Sequence, residues 1–346
     1  MKAAILLFCF LVVTSLCGSA AAQDWRLLLG LRGDWKFEIG DDARRASREF
    51  DDSKWETIYA PATWEDEGFP GYDGYAWYRK RFFAHEDWKN KALYLRLGRI
   101  DDVDEVFVNG KRVGATGRFP PQYETAYNLE RDYLLPLSFL NIPGENVIAV
   151  RVYDDQLEGG IVDGRLGVYE DRDAFVPDVP LAGEWKFSTG DNPAWKSPDF
   201  DDSKWTTIPV PAFWEWHGFS EYDGYAWYRV TFRVPAPYSQ QRMILLLGLI
   251  DDFDETYLNG VQIGKTGVMG KSVLNTHEYQ TMRVYTIPTG LLRTDHVNTI
   301  AVRVYDGFRD GGIYKGPIGL VTRDRYRKWS DKRKSDLEKV FEWLWR

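Results

Sequence analysis

The chain has 346 residues, 28% of them charged and 16% aromatic, with a formal net charge of −8. This length suits two domains, each large enough to bury a core without cross-links. The negative balance lacks the basic face that nucleic-acid binding requires, so a neutral ligand fits better and no nucleic-acid partner is expected.

Residues 1–22 read as a secretory signal. Lys2 supplies the positive start, Ala3 to Leu16 the apolar run, and Ala20-Ala21-Ala22 a small-residue cleavage site before Gln23. A secreted or periplasmic location with cleavage after Ala22 is the expectation. The apolar run is short for a membrane span, and no later stretch reaches 18 apolar residues, so no transmembrane segment is expected. Both cysteines, Cys9 and Cys17, lie inside the signal, leaving the mature chain without a disulfide or a cysteine metal site.

The remainder says nearly the same thing twice. Phe50-Asp51-Asp52-Ser53-Lys54-Trp55 returns as Phe200-Asp201-Asp202-Ser203-Lys204-Trp205, and Tyr72 to Arg79 returns unchanged as Tyr222 to Arg229. The offset, 222 − 72 = 150, is one whole domain rather than a solenoid repeat of about 20–50 residues. From Tyr133 and Tyr285 onward it becomes 152, which places a two-residue insertion in the loop after Gly267. Four tryptophan pairs keep step: Trp35/Trp185, Trp55/Trp205, Trp64/Trp214 and Trp77/Trp227. Most are expected in the core.

Each copy reads as strands. Gly33 to Phe37 and Gly183 to Phe187 open the copies, and Trp77 to Phe83 and Trp227 to Val234 alternate with strand period. Asn109-Gly110 and Asn259-Gly260, each between apolar runs, are hairpin signals. Val147 to Tyr153 and Thr299 to Tyr305 suit the centre of a sandwich. An all-β chain of two tandem sandwiches follows, at 24–175 and 176–325, joined near Phe175 to Pro180.

The tail, 326–346, changes character. Leu337, Val340, Phe341, Leu344 and Trp345 recur at helical spacing after a basic stretch. An amphipathic C-terminal α-helix is expected, either docked on the second sandwich or offered to a protein partner or membrane surface.

Hydrolytic motifs are missing: no nucleophile elbow, no His-Glu-x-x-His, no phosphate loop. His85, His217, His277 and His296 fall at non-equivalent positions, which argues against a histidine mechanism built into the repeat. Three repeated blocks remain as candidates.

The first is acidic: Asp101-Asp102-Val103-Asp104-Glu105 and Asp251-Asp252-Phe253-Asp254-Glu255. Asp101, Asp102, Asp251 and Asp252 are weak candidate ligands for Ca²⁺, a hard cation that wants several oxygens, although the spacing is not that of an EF-hand. The competing reading is that these acids cap the loop and pair with arginine. No cofactor beyond such a structural ion is expected.

The second block combines aromatic and charged residues: Trp64, Glu65, Asp73, Trp77 and Arg79, with Trp214, Glu215, Asp223, Trp227 and Arg229. Aromatic faces stack on sugar C–H surfaces while acids and arginine bond hydroxyls, as in a ligand site that is mainly apolar with a few placed polar groups. A core aromatic network closed by an Arg–Asp pair explains the same residues. The third block is the loop after the last long strand, from Asp154 to Ile161 and from Asp306 to Tyr314, where Gly311 and Gly312 match Gly159 and Gly160. Paired glycines permit close backbone approach, for binding or for packing.

Taken together, Pro-x-x-Trp-Glu, Tyr-Asp-Gly-Tyr-Ala-Trp-Tyr-Arg, Asp-Asp-x-Asp-Glu-x-x-x-Asn-Gly and the late Gly-Gly-Ile resemble the galactose-binding-like jelly roll. That module is similar to the sugar-binding domain of glycoside hydrolase family 2. The Asp-Asp-x-Asp-Glu block and the Gly-Gly-Ile-Tyr-x-Gly-Pro ending resemble the β-sandwich of sialate O-acetylesterases. Both families keep catalysis in a separate domain, so the resemblance implies a binding module rather than an enzyme. It also makes Asp154 and Asp306 sugar-binding candidates. Copy one departs from the pattern, with Val162, Asp163 and Arg165 where copy two has Tyr314, Lys315 and Pro317.

Three functions follow as alternatives. The first is an exported, non-catalytic carbohydrate-binding protein whose partner is a glycan. The second is an accessory partner of a separate glycosidase or esterase. The third is a hydrolase with an acid pair between the domains. Solvent-exposed faces on Trp64, Trp214 or Trp216 would favour the first.

Overall fold

The structure, a computed structural model, describes residues 23–332 except 239, 272 and 274–276. The signal sequence and the tail from residue 333, including Leu337, Val340, Phe341, Leu344 and Trp345, lie outside the described residues.

The first copy pairs a six-stranded with a four-stranded antiparallel sheet. In spatial order the six strands are Glu56–Ala60, Gly33–Ile39, Gly74–Ala84, Gly144–Asp154, Val103–Val108 and Lys111–Thr116. The four are Trp25–Gly30, Gly160–Asp171, Leu93–Asp101 and Glu130–Leu134. The second copy repeats the plan. Its six-stranded sheet runs Thr206–Val210, Gly183–Thr189, Gly224–Phe232, Asn298–Asp306, Phe253–Leu258 and Val261–Thr266. Its smaller sheet runs Val179–Pro180, Gly312–Thr322, Met243–Asp251 and Arg283–Thr286. These are two jelly-roll β-sandwiches. The sequence reading did not name the strands Glu56–Ala60, Leu93–Asp101, Glu130–Leu134 and Gly160–Asp171 or their second-copy counterparts. Nor did it name Trp25–Gly30, a partly exposed edge strand without clean alternation, or Val179–Pro180, too short to carry any pattern.

The near-continuous apolar runs lie where both faces are covered. Gly144–Asp154 sits between two neighbours in the larger sheet, and Ile148, Val150 and Val152 point into one core with Trp35, Trp64, Leu95 and Val168. The second core has the equivalent Ile300, Val302 and Val304 with Trp185, Trp214 and Leu245. Burying one Trp side chain, ~200 Å² at ~25 cal/mol/Å², stabilises by up to about 5 kcal/mol, an upper bound set by the unfolded-state reference. Among the described residues six tryptophans are fully buried, which helps these domains hold together without cross-links. The Asn-Gly turns form as expected: Val108 pairs with Lys111, and Asn109 and Gly110 have φ of 52° and 79°.

A helix begins after Thr322 and covers 323–332 of the described chain. Its start docks on the segment joining the copies: Trp329 packs on Phe175 with ring centres 4.8 Å apart, and Arg325 pairs with Asp178 at 2.6 Å.

Candidate functional site

The repeated aromatic block forms the inside of the molecule. Trp64 and Trp214 are fully buried, so neither offers a face to a sugar. Trp64 donates from Nε1 to the Tyr78 hydroxyl at 2.7 Å, and Trp214 to the Tyr222 carbonyl at 3.3 Å. Trp77 and Trp227 are equally buried and stack on Phe107 and Tyr257.

Arg79 donates from Nε to Asp52 at 2.8 Å and from its terminal nitrogens to the carbonyls of Arg45, Ser47 and Phe50. Arg229 repeats this with Asp202 and the carbonyls of Trp195, Ser197 and Phe200. Both guanidiniums are thereby committed to pinning the loop before the Phe-Asp-Asp-Ser-Lys-Trp block. The core reading holds for these four tryptophans and two arginines. A ligand needs accessible groups, and here the same chemistry is consumed internally.

The paired glycines also serve packing. A Cβ on Gly159 would stand 2.4 Å from Trp64 Cε3, and one on Gly311 would stand 2.1 Å from Trp214 Cζ2. Gly160 and Gly312 have φ of 115° and 120° and lie against the Tyr78 and Tyr228 hydroxyls. The loop lies flat on the buried indole. Glu65 and Glu215 fasten it by accepting from the amides of Gly159 at 3.3 Å and Gly311 at 3.0 Å. Glu215 is nearly sealed, and burial pushes its carboxyl up to about 8.

At the same end of each sandwich the acids converge. Gly160 pairs with Asp101 and Gly74 with Asp154 across neighbouring strands, so the ends of four strands lie at this end of the sandwich. Carboxylate oxygens of Asp101, Asp102 and Asp154 lie within 4.8 Å of one another, as do those of Asp251, Asp252 and Asp306. The capping role expected for the acidic block is present in part. Asp102 accepts from the Asp155 amide at 3.0 Å and Asp252 from the Gly307 amide at 3.1 Å, while Asp104 and Asp254 pair with the buried Arg131 and Arg283. Asp101, Asp154, Asp251 and Asp306 are left crowded. Burial, then the charge of Asp102, raises Asp154 to about 8; burial raises Asp306 to about 7. Burial and the adjoining Asp102 and Asp252 raise Asp101 to about 7 and Asp251 to about 8. Asp73 and Asp223 stand exposed beside these trios.

The copies differ at their rims. In copy two Phe213 and Tyr314 stack with ring centres 4.8 Å apart and planes within 6°, and Trp216 meets Phe213 edge-on at 6.0 Å. All three are half-buried, and Tyr314 donates from its hydroxyl to the Tyr279 carbonyl at 2.8 Å. Copy one has Thr63, Asp66 and Val162 at those positions. Phe308, exposed in the same loop as Asp306, has Gln156 as its counterpart. Sequence reasoning singled out Tyr314 but missed Phe213 and Phe308. The available signal was the difference between copies, not their identity.

Arg112 of the first sandwich donates to the Trp216 carbonyl of the second at 3.0 Å, and a cavity of about 260 Å³ between the copies is lined by Arg112, Phe119, Arg151, Trp216 and His217.

Against known proteins, residues 189–307 match the family described as the β-galactosidase second all-beta domain. The sandwiches resemble the sugar-binding all-β domains of glycoside hydrolase family 2. A β-galactosidase of Thermoanaerobacter pseudethanolicus is 31% identical over 44% of this chain and 22% of its own length. A β-glucuronidase of Formosa agariphila is 28% identical over 36% of this chain and 13% of its own. A solved Bacteroides uniformis β-glucuronidase aligns over 82% of this chain and 28% of its own at 18% identity, with a TM-score of 0.34. The chain thus spans less than a quarter of the curated relatives it matches here.

Proposed function

We propose that this chain is an exported, non-catalytic carbohydrate-binding protein in which the second sandwich carries the binding rim. The family match over residues 189–307 supports a role directed at sugars, since the relatives are a β-galactosidase and a β-glucuronidase. The observation that carries the choice of site is the aromatic rim of Phe213, Trp216 and Tyr314, present in copy two alone. Half-buried rings held against one another, one pair stacked and one edge to face, keep their orientation, which suits stacking on a sugar's C–H surface with little ordering cost. Exposed Arg309 and Asp310 beside Phe308 supply hydrogen-bonding groups for hydroxyls. Asp154 and Asp306 are sealed, so in this reading they support the loop rather than touch the sugar.

Calorimetry against β-galactosides, β-glucuronides and their polymers tests the proposal, with Phe213→Ala, Trp216→Ala and Tyr314→Ala as variants. Binding that survives in all three folded variants places the site elsewhere, and silence of the folded wild type across the panel removes the proposal. Export is tested by sequencing the N-terminus of protein recovered outside the cytoplasm, which should begin at Gln23.

A further inference from the structure

We propose that each acid trio, Asp101/Asp102/Asp154 and Asp251/Asp252/Asp306, is a divalent-cation site selecting an oxygen-preferring ion such as Ca²⁺. The site is separate from the sugar rim and stands or falls without it. Proximity of acids alone carries nothing, but Asp154 adds a second observation. It is fully buried, and among the described residues neither of its carboxylate oxygens has a hydrogen-bond partner. Asp306 is buried to the same degree, with Oδ2 unpartnered and Oδ1 accepting a 3.3 Å bond from the Phe308 amide. Leaving such atoms unmet costs more than a surface crowding of acids does.

The usual relief, an arginine, is present but turned away. Arg131 directs Nε to Asp104 and Nη2 to the backbone carbonyls of Ile100 and Asp102. Arg283 does the same toward Asp254 and the Asp252 carbonyl. Ligand oxygens within 4.8 Å of one another can be bridged by an ion that binds oxygen at about 2.3–2.6 Å. Neither trio holds a histidine or cysteine, which disfavours zinc. Glu65 Oε1 and Glu215 Oε2, buried and unpartnered on the adjoining loop, extend the oxygen supply at that end. The arrangement occurs twice in one chain at equivalent positions, so it is a property of the repeated unit. A bound ion would tie the end of the central strand to the acid loop, fixing the base from which the Gly-Gly loop departs.

The full-length mature chain, stripped with chelator, is titrated with CaCl₂ by calorimetry and followed by thermal unfolding. Two equivalents are expected, with a rise in Tm of roughly 5–10 °C at saturation. Asp154→Asn and Asp306→Asn should each remove one equivalent, and the double variant both. In chelator these variants should remain folded, and on adding calcium they should lose the response of the altered site. If Asp154→Asn does not fold, Asp101→Asn serves as its replacement. Absence of binding by folded wild type, an equal response to NaCl at matched ionic strength, or calcium binding unchanged in the double variant overturns the proposal. In that event the trios are relieved by shared protons instead.

Discussion

Gly311 lies against the ring of Trp214 so closely that a Cβ would stand 2.1 Å from Cζ2. Gly159 repeats the contact on Trp64 at 2.4 Å. Each indole is fully buried and held by a hydrogen bond from its own Nε1, so it has little room to retreat. Gly159→Ala and Gly311→Ala should each destabilise by about 1–3 kcal/mol through overpacking. Urea unfolding read by tryptophan fluorescence measures this. Gly290→Ala provides the contrast: nothing lies within 4 Å of a Cβ there, and only its φ of 83° opposes the change.

Arg79 and Arg229 should behave as structural clamps. Removing the guanidinium of Arg79 leaves Asp52 and three carbonyls without their donor in a largely dry site. Arg79→Ala is therefore expected to cost about 3–5 kcal/mol, the range for breaking a buried pair from one side. Arg81→Ala, whose side chain is half exposed, should fall within about 1 kcal/mol of wild type. Lysine should not rescue Arg79, because it cannot reproduce the planar fork that reaches several acceptors together. Thermal unfolding of the three variants separates these outcomes.

How much was legible in the sequence follows from how local each feature is. The Asn-Gly hairpins depend on two residues whose left-handed backbone is almost written in their identity, and Val108–Lys111 and Leu258–Val261 close as expected. The strand interiors follow from alternation. Trp64 and Arg79 were harder, since an aromatic beside a charge looks the same in a core network as in a sugar site. What separates them is burial, which depends on Gly159 and Asp52 arriving from distant parts of the chain. Phe213 escaped because its counterpart is Thr63 and no repeated block contains it, and that it joins Trp216 and Tyr314 in one rim is set by a contact between distant parts of the chain.

Asp178 should anchor the helix start to the segment between the copies. Its Oδ2 accepts from the Thr322 amide at 2.8 Å, and its Oδ1 from Arg325 Nη1 at 2.6 Å. An acid at the first turn of a helix also meets the positive end of its dipole. Asp178→Ala should cost about 1–2 kcal/mol locally. Amide exchange over residues 320–332 should accelerate, while the strand Asn298–Asp306 stays protected. Equal exchange in both forms would show that Trp329 and Phe175 suffice to hold the helix.

His217 and Glu215, two residues apart, should give the stability of this protein opposing dependences on pH. His217 is buried with Nδ1 unpartnered; burial, then the positive charge of Arg112, pushes it well below 6.5. As pH falls below about 6.5 the unfolded chain takes up a proton that folded His217 refuses, so stability is lost on acidification. Glu215 has the reverse sign. Burial raises it to about 8, so the folded state holds a proton that the unfolded state has released, and stability falls as pH rises from about 4.5 through 8. Each group contributes a slope of up to about 1.4 kcal/mol per pH unit in its window. Urea unfolding of wild type, His217→Gln and Glu215→Gln from pH 5 to 9, without added divalent cation, reads both. His217→Gln should flatten the acid side of the stability profile alone, and Glu215→Gln should flatten the rise toward lower pH from the alkaline side. Parallel profiles for wild type and His217→Gln below pH 6.5 would mean that His217 takes up its proton while folded, with Arg112 moved away from the Trp216 carbonyl to admit it.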